Sequence, residues 1–351
     1  MQWERYPQKS LKNHFFNFGL LTRHYKSVIF NAMRHPEWLK VQLSGTHETK
    51  KILRHYRVST VCEEAKCPNQ GKCFSKSTAT FMILGDRCTR NCSFCAVESN
   101  NPLPPDPGEH RRVAEAALAL GLKFIVITSV TRDDLPDGGA EHFAKTIQAV
   151  KLKNKTNMVH SNIKNNENNP PLPPFVKGGH WGDFSKGRMG GFSDKKIKIE
   201  VLTPDFKGDL EALRTVLNAS PDVFNHNIET VPRLYSSVRP RADYLTSINI
   251  LSSAKALYPY IKTKSGIMLG LGEKEAEVLS VLRNMADAGC DFLTIGQYLR
   301  PRKENIPVVE YIKPEVFEQY KVKALEMGFK AVVSSPLTRS SMNAEEMYAA
   351  I

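Results

Sequence analysis

The sequence predicts an α/β fold, a partial (βα)6 barrel of the TIM type with extensions at both ends. From residue 81 onward, short runs rich in β-branched residues alternate with segments of helical periodicity. Such alternation is typical of parallel strands joined by crossover helices. The predicted strands are Phe81–Leu84, Phe124–Val130, Lys196–Leu202, Val223–Glu229, Ser265–Gly270 and Phe292–Ile295. The predicted helices are Arg111–Leu120, Ala140–Val150, Leu210–Leu217 and Glu273–Ala288, before a last helix near Pro314–Met327 and a last strand at Lys330–Ser334.

Length and composition agree with one barrel domain that carries appendages. The chain has 351 residues, and a barrel of this type takes roughly 250. A hydrophobic content of 41% is ordinary for a globular protein with a sizeable core. No apolar run approaches the roughly 20 residues needed to span a bilayer. We therefore expect neither an integral membrane protein nor a membrane partner.

The formal net charge of +13 is concentrated in two stretches of the chain. Residues 1–34 carry six Lys and Arg against one acidic residue, and residues 151–198 carry ten against three. These stretches supply +5 and +7 of the total, so the remainder is nearly neutral. A nucleic-acid-binding protein needs a basic face on its folded part. The charge distribution therefore argues against nucleic acid as a partner.

The predicted organisation has four parts. Residues 1–34 form a basic extension that is disordered or lies upstream of the true start, and residues 35–80 form an N-terminal segment. Residues 81–300 form the barrel, interrupted at 151–195 by a stretch rich in Asn, Pro and Gly, and residues 301–351 form a C-terminal segment. The interruption cannot bury a core, so we interpret it as a disordered surface insertion. We expect a cytoplasmic protein, or one of the mitochondrial matrix if the basic extension is a transit peptide.

Three cysteines follow the first predicted barrel strand in a C-x3-C-x2-C loop: Cys88, Cys92 and Cys95. A four-iron cubane needs four ligands, so three thiolates from one loop leave one iron open. Zinc, the alternative, usually takes four ligands in two pairs. The motif resembles that of the radical S-adenosylmethionine superfamily. In that superfamily the amino and carboxylate groups of S-adenosylmethionine chelate the open iron, and the reduced cluster generates a 5′-deoxyadenosyl radical.

A second set of cysteines, Cys62, Cys67 and Cys73, has the spacing C-x4-C-x5-C. It offers three thiolates, enough for another cubane with one non-cysteine ligand. The string VCEEAKCPN, followed by RCTRNCSFCAV, resembles the lipoyl synthase family. The resemblance continues through VITSVTRDDLPDGGA, VLTPDF, FNHNIETVPRLY, GIMLGLGE, LTIGQYLRP and TRSS, and covers roughly residues 35–345 apart from the insertion.

The resemblance implies a sulfurtransferase with two 4Fe-4S clusters per chain and S-adenosylmethionine as cofactors. Lipoyl synthases insert two sulfur atoms at C6 and C8 of an octanoyl chain linked to a lysine of a carrier protein. The auxiliary cluster, held by the terminal extensions, is the sulfur donor. The implied partners are octanoylated lipoyl domains of 2-oxo acid dehydrogenase E2 subunits and the glycine cleavage H protein. An electron donor such as ferredoxin or flavodoxin and a cluster-rebuilding carrier are implied as well.

The resemblance also names a fourth ligand for the auxiliary cluster. In the family this ligand is the second serine of an Arg-Ser-Ser-Tyr motif, which corresponds here to Ser341 in Arg339-Ser340-Ser341-Met342. An oxygen ligand can leave iron more readily than a thiolate, so we assign Ser341 a catalytic role. Met342 replaces the usual tyrosine, which keeps bulk but removes a hydroxyl.

Several polar residues and glycines, most of them near the ends of predicted strands, are candidate contacts to S-adenosylmethionine. Two glycines of an Asp-Gly-Gly turn allow close approach of the backbone to a ligand, and the acidic and amide side chains can bind ribose or methionine groups. Each residue could equally belong to a loop or a buried polar network. The candidates are Asp137, Gly138, Gly139, Glu200, Asn227, Glu229 and Arg239.

Two alternative functions remain open from the sequence. One is another radical enzyme with two clusters, such as a methylthiotransferase, although those enzymes tend to append a nucleic-acid-binding domain that is not visible here. The other, from a different class, is a zinc-binding module.

Overall fold

The structure, a computed structural model, describes residues 36–41, 46–76, 78–164 and 196–351, with the backbone alone at 157–164. The chain divides into two units at Lys40. The described part of the first unit contains a single 3-10 turn at Glu37–Leu39. The second unit contains all elements described below.

The second unit alternates strands and helices along most of its length. Its helices are α1 (His47–His55), α2 (Val61–Glu64), α3 (Gln70–Phe74), α4 (Glu109–Ala119), α5 (Ala140–Lys164), α6 (Leu210–Asn218), α7 (Tyr235–Val238), α8 (Tyr244–Leu257), α9 (Glu275–Asp287), α10 (Pro314–Glu326) and α11 (Ala344–Ala349). Its strands are β1 (Ser59–Thr60), β2 (Thr80–Ile83), β3 (Arg87–Cys88), β4 (Glu98–Ser99), β5 (Phe124–Ser129), β6 (Lys198–Leu202), β7 (Val223–Asn225), β8 (Lys262–Leu269), β9 (Phe292–Gln297) and β10 (Ala331–Ser334).

The main sheet confirms the predicted α/β partial barrel. Its strand order is β1-β2-β5-β6-β7-β8-β9-β10, and β3 pairs with β4 in a separate small sheet. All neighbours in the main sheet run parallel except β1, which pairs with β2 antiparallel. The end strands β1 and β10 do not pair with each other in the described part of the chain, so the barrel is open.

Successive residues of the strands contribute to two separate hydrophobic clusters, as the alternation of side chains in a strand requires. Ile125 and Ile127 of β5 belong to the large cluster that also contains Phe143 of α5, on the outer face of the sheet. Phe124 and Val126 belong to a second cluster on the opposite, inner face, together with residues of helix α11. Because both faces of the sheet are covered, the sequences of the strands are nearly continuous apolar runs.

Two sequence predictions need correction. The insertion was expected to begin at 151, but α5 continues to Lys164 because the sequence after Val150 contains neither Gly nor Pro until Pro170. Residues 165–195 lie outside the described residues, so the expected disorder there stays a prediction. Helix α8 was not predicted, since its mixture of Ser, Thr and apolar residues lacks a clear amphipathic period.

Among the described residues, every helix is too short or too polar to cross a bilayer.

Candidate iron–sulfur centres

The Cys88–Cys95 loop begins at the end of β3 and folds over the carboxyl ends of the barrel strands. The Sγ of Cys88 accepts hydrogen bonds from two backbone amides, at 3.4 Å from Arg90 N and 3.3 Å from Thr131 N. Amide donors to a thiolate stabilise its negative charge and tune clusters bound by it. Cys95 N donates to the carbonyl of Cys92 at 3.0 Å, which closes the last turn of the loop.

The other side of this loop is held by residues from distant parts of the chain. The hydroxyl of Ser93 donates to the carbonyl of Ser237 at 2.7 Å. The side-chain amide of Asn305 donates to the carbonyls of Ser93 and Cys95 at 3.1 and 2.8 Å. The barrel therefore fixes the loop from both sides, as a preorganised ligand set requires.

Arg90, inside the cysteine motif, clamps the loop to two strand ends. Its guanidinium forms paired hydrogen bonds of 2.8 and 2.9 Å with Asp133, which follows β5. It forms two more, both 2.7 Å, with Asp205, which follows β6. Burial alone would raise the pKa of Asp205, but the Arg90 hydrogen bonds, the nearby positive charge and the amide of Lys207 together outweigh it and lower that pKa to about 2. Sequence reasoning missed this clamp, although both acids directly follow predicted strands.

The cysteine side chains fit an iron–sulfur cluster. All of them are free thiols in the structure. Burial raises the pKa of Cys95 to about 12 and also raises the pKa of Cys92. A thiolate at such a site is stable only beside a compensating positive charge, which iron supplies. No three His, Cys, Asp or Glu side chains among the described residues gather at one metal-ion position, and a cubane attaches its thiolates to different irons.

Asn227, Glu229 and Arg239 form a hydrogen-bonded group beside the Cys88–Cys95 loop. The amide of Asn227 donates to the Glu229 carboxylate at 3.0 Å, and Arg239 Nη1 donates to the Asn227 carbonyl at 3.1 Å. The electrostatic field of Arg239 acts on both Glu229 and Cys92. Burial raises the pKa of Glu229. The Nε of Arg239 is buried without a hydrogen-bond partner in the described part of the chain, so it can donate to a ligand.

The backbone positions Glu229 by an unusual turn. Strand β7 ends at Asn225, earlier than predicted, because the chain beyond it leaves regular strand geometry. The backbone amides of Ile228 and Glu229 both donate to the carbonyl of Gly266, and Glu229 adopts a φ of 69°. A non-glycine residue in the left-handed region is strained and is common at functional sites.

The Asp137-Gly138-Gly139 turn caps the start of α5 and packs closely against the barrel. The Asp137 carboxylate accepts hydrogen bonds from the amides of Gly139 and Glu141 at 2.9 and 2.7 Å. Gly138 and Gly139 have φ values of 60° and 91°, and a Cβ on Gly139 would lie 2.3 Å from Leu84 Cδ1. Helix capping and close packing account for these residues, while contact of the turn with S-adenosylmethionine stays a prediction.

The expectation that Glu200 lies at a strand end was wrong. Glu200 is inside β6, and its carboxylate accepts from Asn225 Nδ2 at 2.8 Å and pairs with Lys264 Nζ at 3.0 Å. The side chains of Glu200 and Lys264 are each 1% exposed. The carboxylate therefore neutralises a buried lysine inside the barrel instead of projecting from its rim.

The second cysteine set comes from α2, the following turn and α3. Thr60 caps α2 by accepting from the amide of Glu63 at 3.3 Å, and Cys67 N donates to the Cys62 carbonyl at 3.1 Å. Burial raises the pKa of Cys62 to about 12, and the neighbouring thiols of Cys67 and Cys73 contribute to this rise. The three sulfur atoms are therefore close enough to interact, in a setting that again calls for iron.

The C-terminal segment approaches both cysteine sets. The side-chain amide of Asn69, two residues after Cys67, donates to the Leu337 carbonyl at 2.6 Å and to Met342 Sδ at 3.6 Å. The hydroxyl of Ser340 donates to Asn227 Oδ1 at 2.8 Å. Ser341, half-buried, lies between these two attachments. Met342 thus accepts a hydrogen bond through sulfur where a tyrosine would offer its hydroxyl.

Comparison with known proteins decides the family. The family model described as the radical SAM superfamily matches residues 82–285. A lipoyl synthase of Caldanaerobacter subterraneus subsp. tengcongensis is 49% identical over 316 residues, which cover 90% of this chain and 97% of that protein. A lipoyl synthase of Alkaliphilus metalliredigens is 47% identical over 319 residues, covering 90% and 96%. The chain belongs to the lipoyl synthase family.

A structural relative agrees with the fold. The crystal structure of Streptococcus suis SuiB bound to S-adenosylmethionine superposes with a TM-score of 0.51 at 8% identity, covering 93% of this chain and 64% of that one. This likeness shows the fold alone. Lipoyl synthases use S-adenosylmethionine and two 4Fe-4S clusters, as the sequence predicted. Family membership therefore replaces the methylthiotransferase and the zinc-binding module as interpretations.

Replacing Arg90 by methionine should loosen the first cysteine loop of this lipoyl synthase. The change leaves two carboxylates facing each other without their cation, which costs ~3–5 kcal/mol for a buried pair. We expect a lower melting temperature and fewer irons retained per chain, measured by thermal unfolding and iron analysis under anaerobic conditions. Arg214→Met, which breaks an exposed pair with Glu211, is the control and should change either value little. Equal effects of the two variants would contradict the clamp.

Lys264→Met should destabilise the enzyme, since it leaves the Glu200 carboxylate buried and unpaired, at a cost of ~3–5 kcal/mol. Adding Glu200→Gln to this variant removes the charge and should recover most of the loss. Thermal unfolding measures both changes. If Glu200→Gln alone instead weakens S-adenosylmethionine binding about tenfold at an unchanged melting temperature, Glu200 contacts the cofactor after all.

Proposed function

We propose that this lipoyl synthase inserts two sulfur atoms at C6 and C8 of a protein-bound octanoyl-lysine, and we assign a role in this reaction to each group of site residues. The observation that carries the proposal is the attachment of the Ser341 segment to Asn69 on one side and Asn227 on the other. These two residues belong to the surroundings of the two cysteine sets. One short segment thus links the surroundings of both clusters, which suits a reaction in which a radical formed at one cluster is quenched by sulfur from the other.

Cys88, Cys92 and Cys95 are the proposed ligands of the cluster that binds S-adenosylmethionine. When bound and reduced, that pair supplies the 5′-deoxyadenosyl radical that abstracts hydrogen from an unactivated carbon. Asn227, Glu229 and Arg239 orient the cofactor. The unpaired Nε of Arg239 and the buried Glu229 carboxylate support this role, because both can hydrogen-bond polar groups of a ligand out of water.

The backbone of the Asp137 turn remains a proposed contact as well. Gly138 and Gly139 lack side chains that would keep a ligand away from their peptide groups. Glu200 is not retained as a contact, because Lys264 and Asn225 already occupy its two carboxylate oxygens.

Cys62, Cys67, Cys73 and Ser341 are the proposed ligands of the auxiliary cluster, the source of the inserted sulfur. The serine oxygen would be the ligand that iron holds least firmly and so the one able to leave, whereas the three thiolates would hold the rest of the cluster in place. The hydrogen bonds from Asn69 hold the segment that carries Ser341 against the loop of Cys67 and support this assignment.

The substrate is the octanoylated lysine of a lipoyl carrier domain. We propose E2 subunits of 2-oxo acid dehydrogenases and the glycine cleavage H protein as carriers, without a preference between them. A ferredoxin or flavodoxin as electron donor, a cluster-rebuilding carrier and a cytoplasmic location complete the proposal. The bacterial origin of the relatives supports that location.

The direct test is anaerobic incubation of the reconstituted enzyme with an octanoyl-lysine peptide, S-adenosylmethionine and a reductant. Mass spectrometry should find 5′-deoxyadenosine together with a peptide that has gained two sulfur atoms. Formation of 5′-deoxyadenosine without any sulfur in the peptide would reject sulfur insertion while retaining radical chemistry.

Ser341→Ala should impair sulfur insertion while leaving cleavage of S-adenosylmethionine intact. The variant keeps Cys88, Cys92 and Cys95, so cleavage of S-adenosylmethionine should persist. Sulfur insertion should fall at least about tenfold, because loss of a ligand destabilises the auxiliary cluster. Liquid chromatography with mass spectrometry measures both products, with Ser252→Ala on helix α8 as control. Wild-type lipoyl formation by Ser341→Ala would refute the ligand assignment.

A further inference from the structure

The inner face of the open barrel is covered by the end of the chain itself. Phe124, Val223 and Phe292, the first residues of β5, β7 and β9, form one hydrophobic cluster with Ala344 and Met347 of helix α11. Met347 is only 3% exposed. Since the packed positions begin their strands, α11 lies toward the amino ends of the strands, away from the Cys88–Cys95 loop.

Tyr348 adds a second contact of α11 with the same region. Its ring lies 5.8 Å from the ring of Phe124, and Lys198 Nζ lies 5.0 Å from the Tyr348 ring centroid. An aromatic pair and a cation–π contact both depend on direction. The helix is therefore docked in one orientation.

The segment before α11 crosses the inner face on its way from the rim. Gly296 and Phe292 lie four residues apart in β9 and face the same side. A Cβ on Gly296 would lie 2.2 Å from the carbonyl oxygen of Thr338, so the segment passes where a side chain would otherwise stand. Ser341 lies in this crossing, between Thr338 and Ala344.

Helix α11 has six residues, too few to be stable in isolation. Its order depends on the inner-face cluster. Ser341 lies three residues before the helix, and Asn343, with a φ of 55°, makes the left-handed turn into it. Asn69 holds the opposite side of the same short stretch through Leu337 and Met342.

We infer that helix α11 and Asn69 are two anchors that position Ser341 at the auxiliary cysteines. The inference rests on the proposed function, in which the serine oxygen ligates one iron and then leaves. A ligand whose bond to iron breaks during the reaction cannot depend on that bond alone for its placement. The two anchors keep the serine within reach, and Met347 and Asn69 are positioning residues.

The test compares two methionines that differ in the face they occupy. Met347→Ala removes buried contacts of α11, whereas Met285→Ala removes a buried methionine from the outer-face cluster. The holoenzyme of each variant is treated briefly with a mild oxidant. Electron paramagnetic resonance, with saturating S-adenosylmethionine present to protect the open iron of the Cys88–Cys95 cluster, then measures the three-iron form that appears when the serine-bound iron is lost. Thermal unfolding, 5′-deoxyadenosine and lipoyl product are measured alongside.

We expect iron loss from the auxiliary cluster of Met347→Ala to be about tenfold faster than in the wild type, the size typical of residues that orient a metal ligand. Asn69→Ala should behave in the same way. Both should form less lipoyl product per 5′-deoxyadenosine, and Met347→Leu, which keeps the volume, should restore wild-type behaviour. Met285→Ala should lower the melting temperature without changing iron loss.

Combining variants separates this inference from the proposed function. In a Ser341→Ala background, Met347→Ala should add no further iron loss, because the anchored ligand is already absent. Equal iron loss in Met347→Ala and Met285→Ala, with Ser341→Ala still defective, would overturn the anchor and leave the ligand assignment standing. A Ser341→Ala variant with normal lipoyl formation would instead reject the ligand assignment itself.

Discussion

Parallel pairing of the barrel strands is the constraint on which the rest of the structure depends. Because β2 and β5 to β10 run in one direction, the segments that follow them all emerge at one edge. Asp133, Asp205 and Asn227, far apart in the chain, reach that edge after β5, β6 and β7. The loop of Cys88 meets them there, so a site can be built from residues with no local relation in sequence.

Charge compensation determines how that edge is built. Arg90 is shared by two carboxylates, Lys264 is paired with Glu200, and Arg239 lies in the field of Glu229 and Cys92. These charges are buried or half-buried, so each needs a partner to offset the loss of water. Four thiols of the two cysteine sets, Cys62, Cys73, Cys92 and Cys95, follow the same rule, since burial raises their pKa values and iron is the partner that stabilises them as thiolates.

The carboxyl and amino ends of the barrel strands have different roles. At the carboxyl ends of the strands lie the Cys88–Cys95 loop and the Asn227 group. Toward the amino ends, the inner face is apolar and covered by α11. The missing strand pairing between β1 and β10 in the described part of the chain leaves a side through which the C-terminal segment can enter. One peptide segment thereby joins the apolar interior to the rim.

The sequence by itself determined the alternation of strands and helices, the spacing of the two cysteine sets and the family, because each of these depends on residues that are neighbours in the chain. It misplaced Glu200, which reads as a rim residue until its partner Lys264, 64 positions away, shows it inside the barrel. The Arg90 clamp, the turn at Glu229 and the packing of α11 against the inner face were decided only by tertiary structure. Their energies come from contacts between distant segments, and such contacts leave no period or spacing in the sequence.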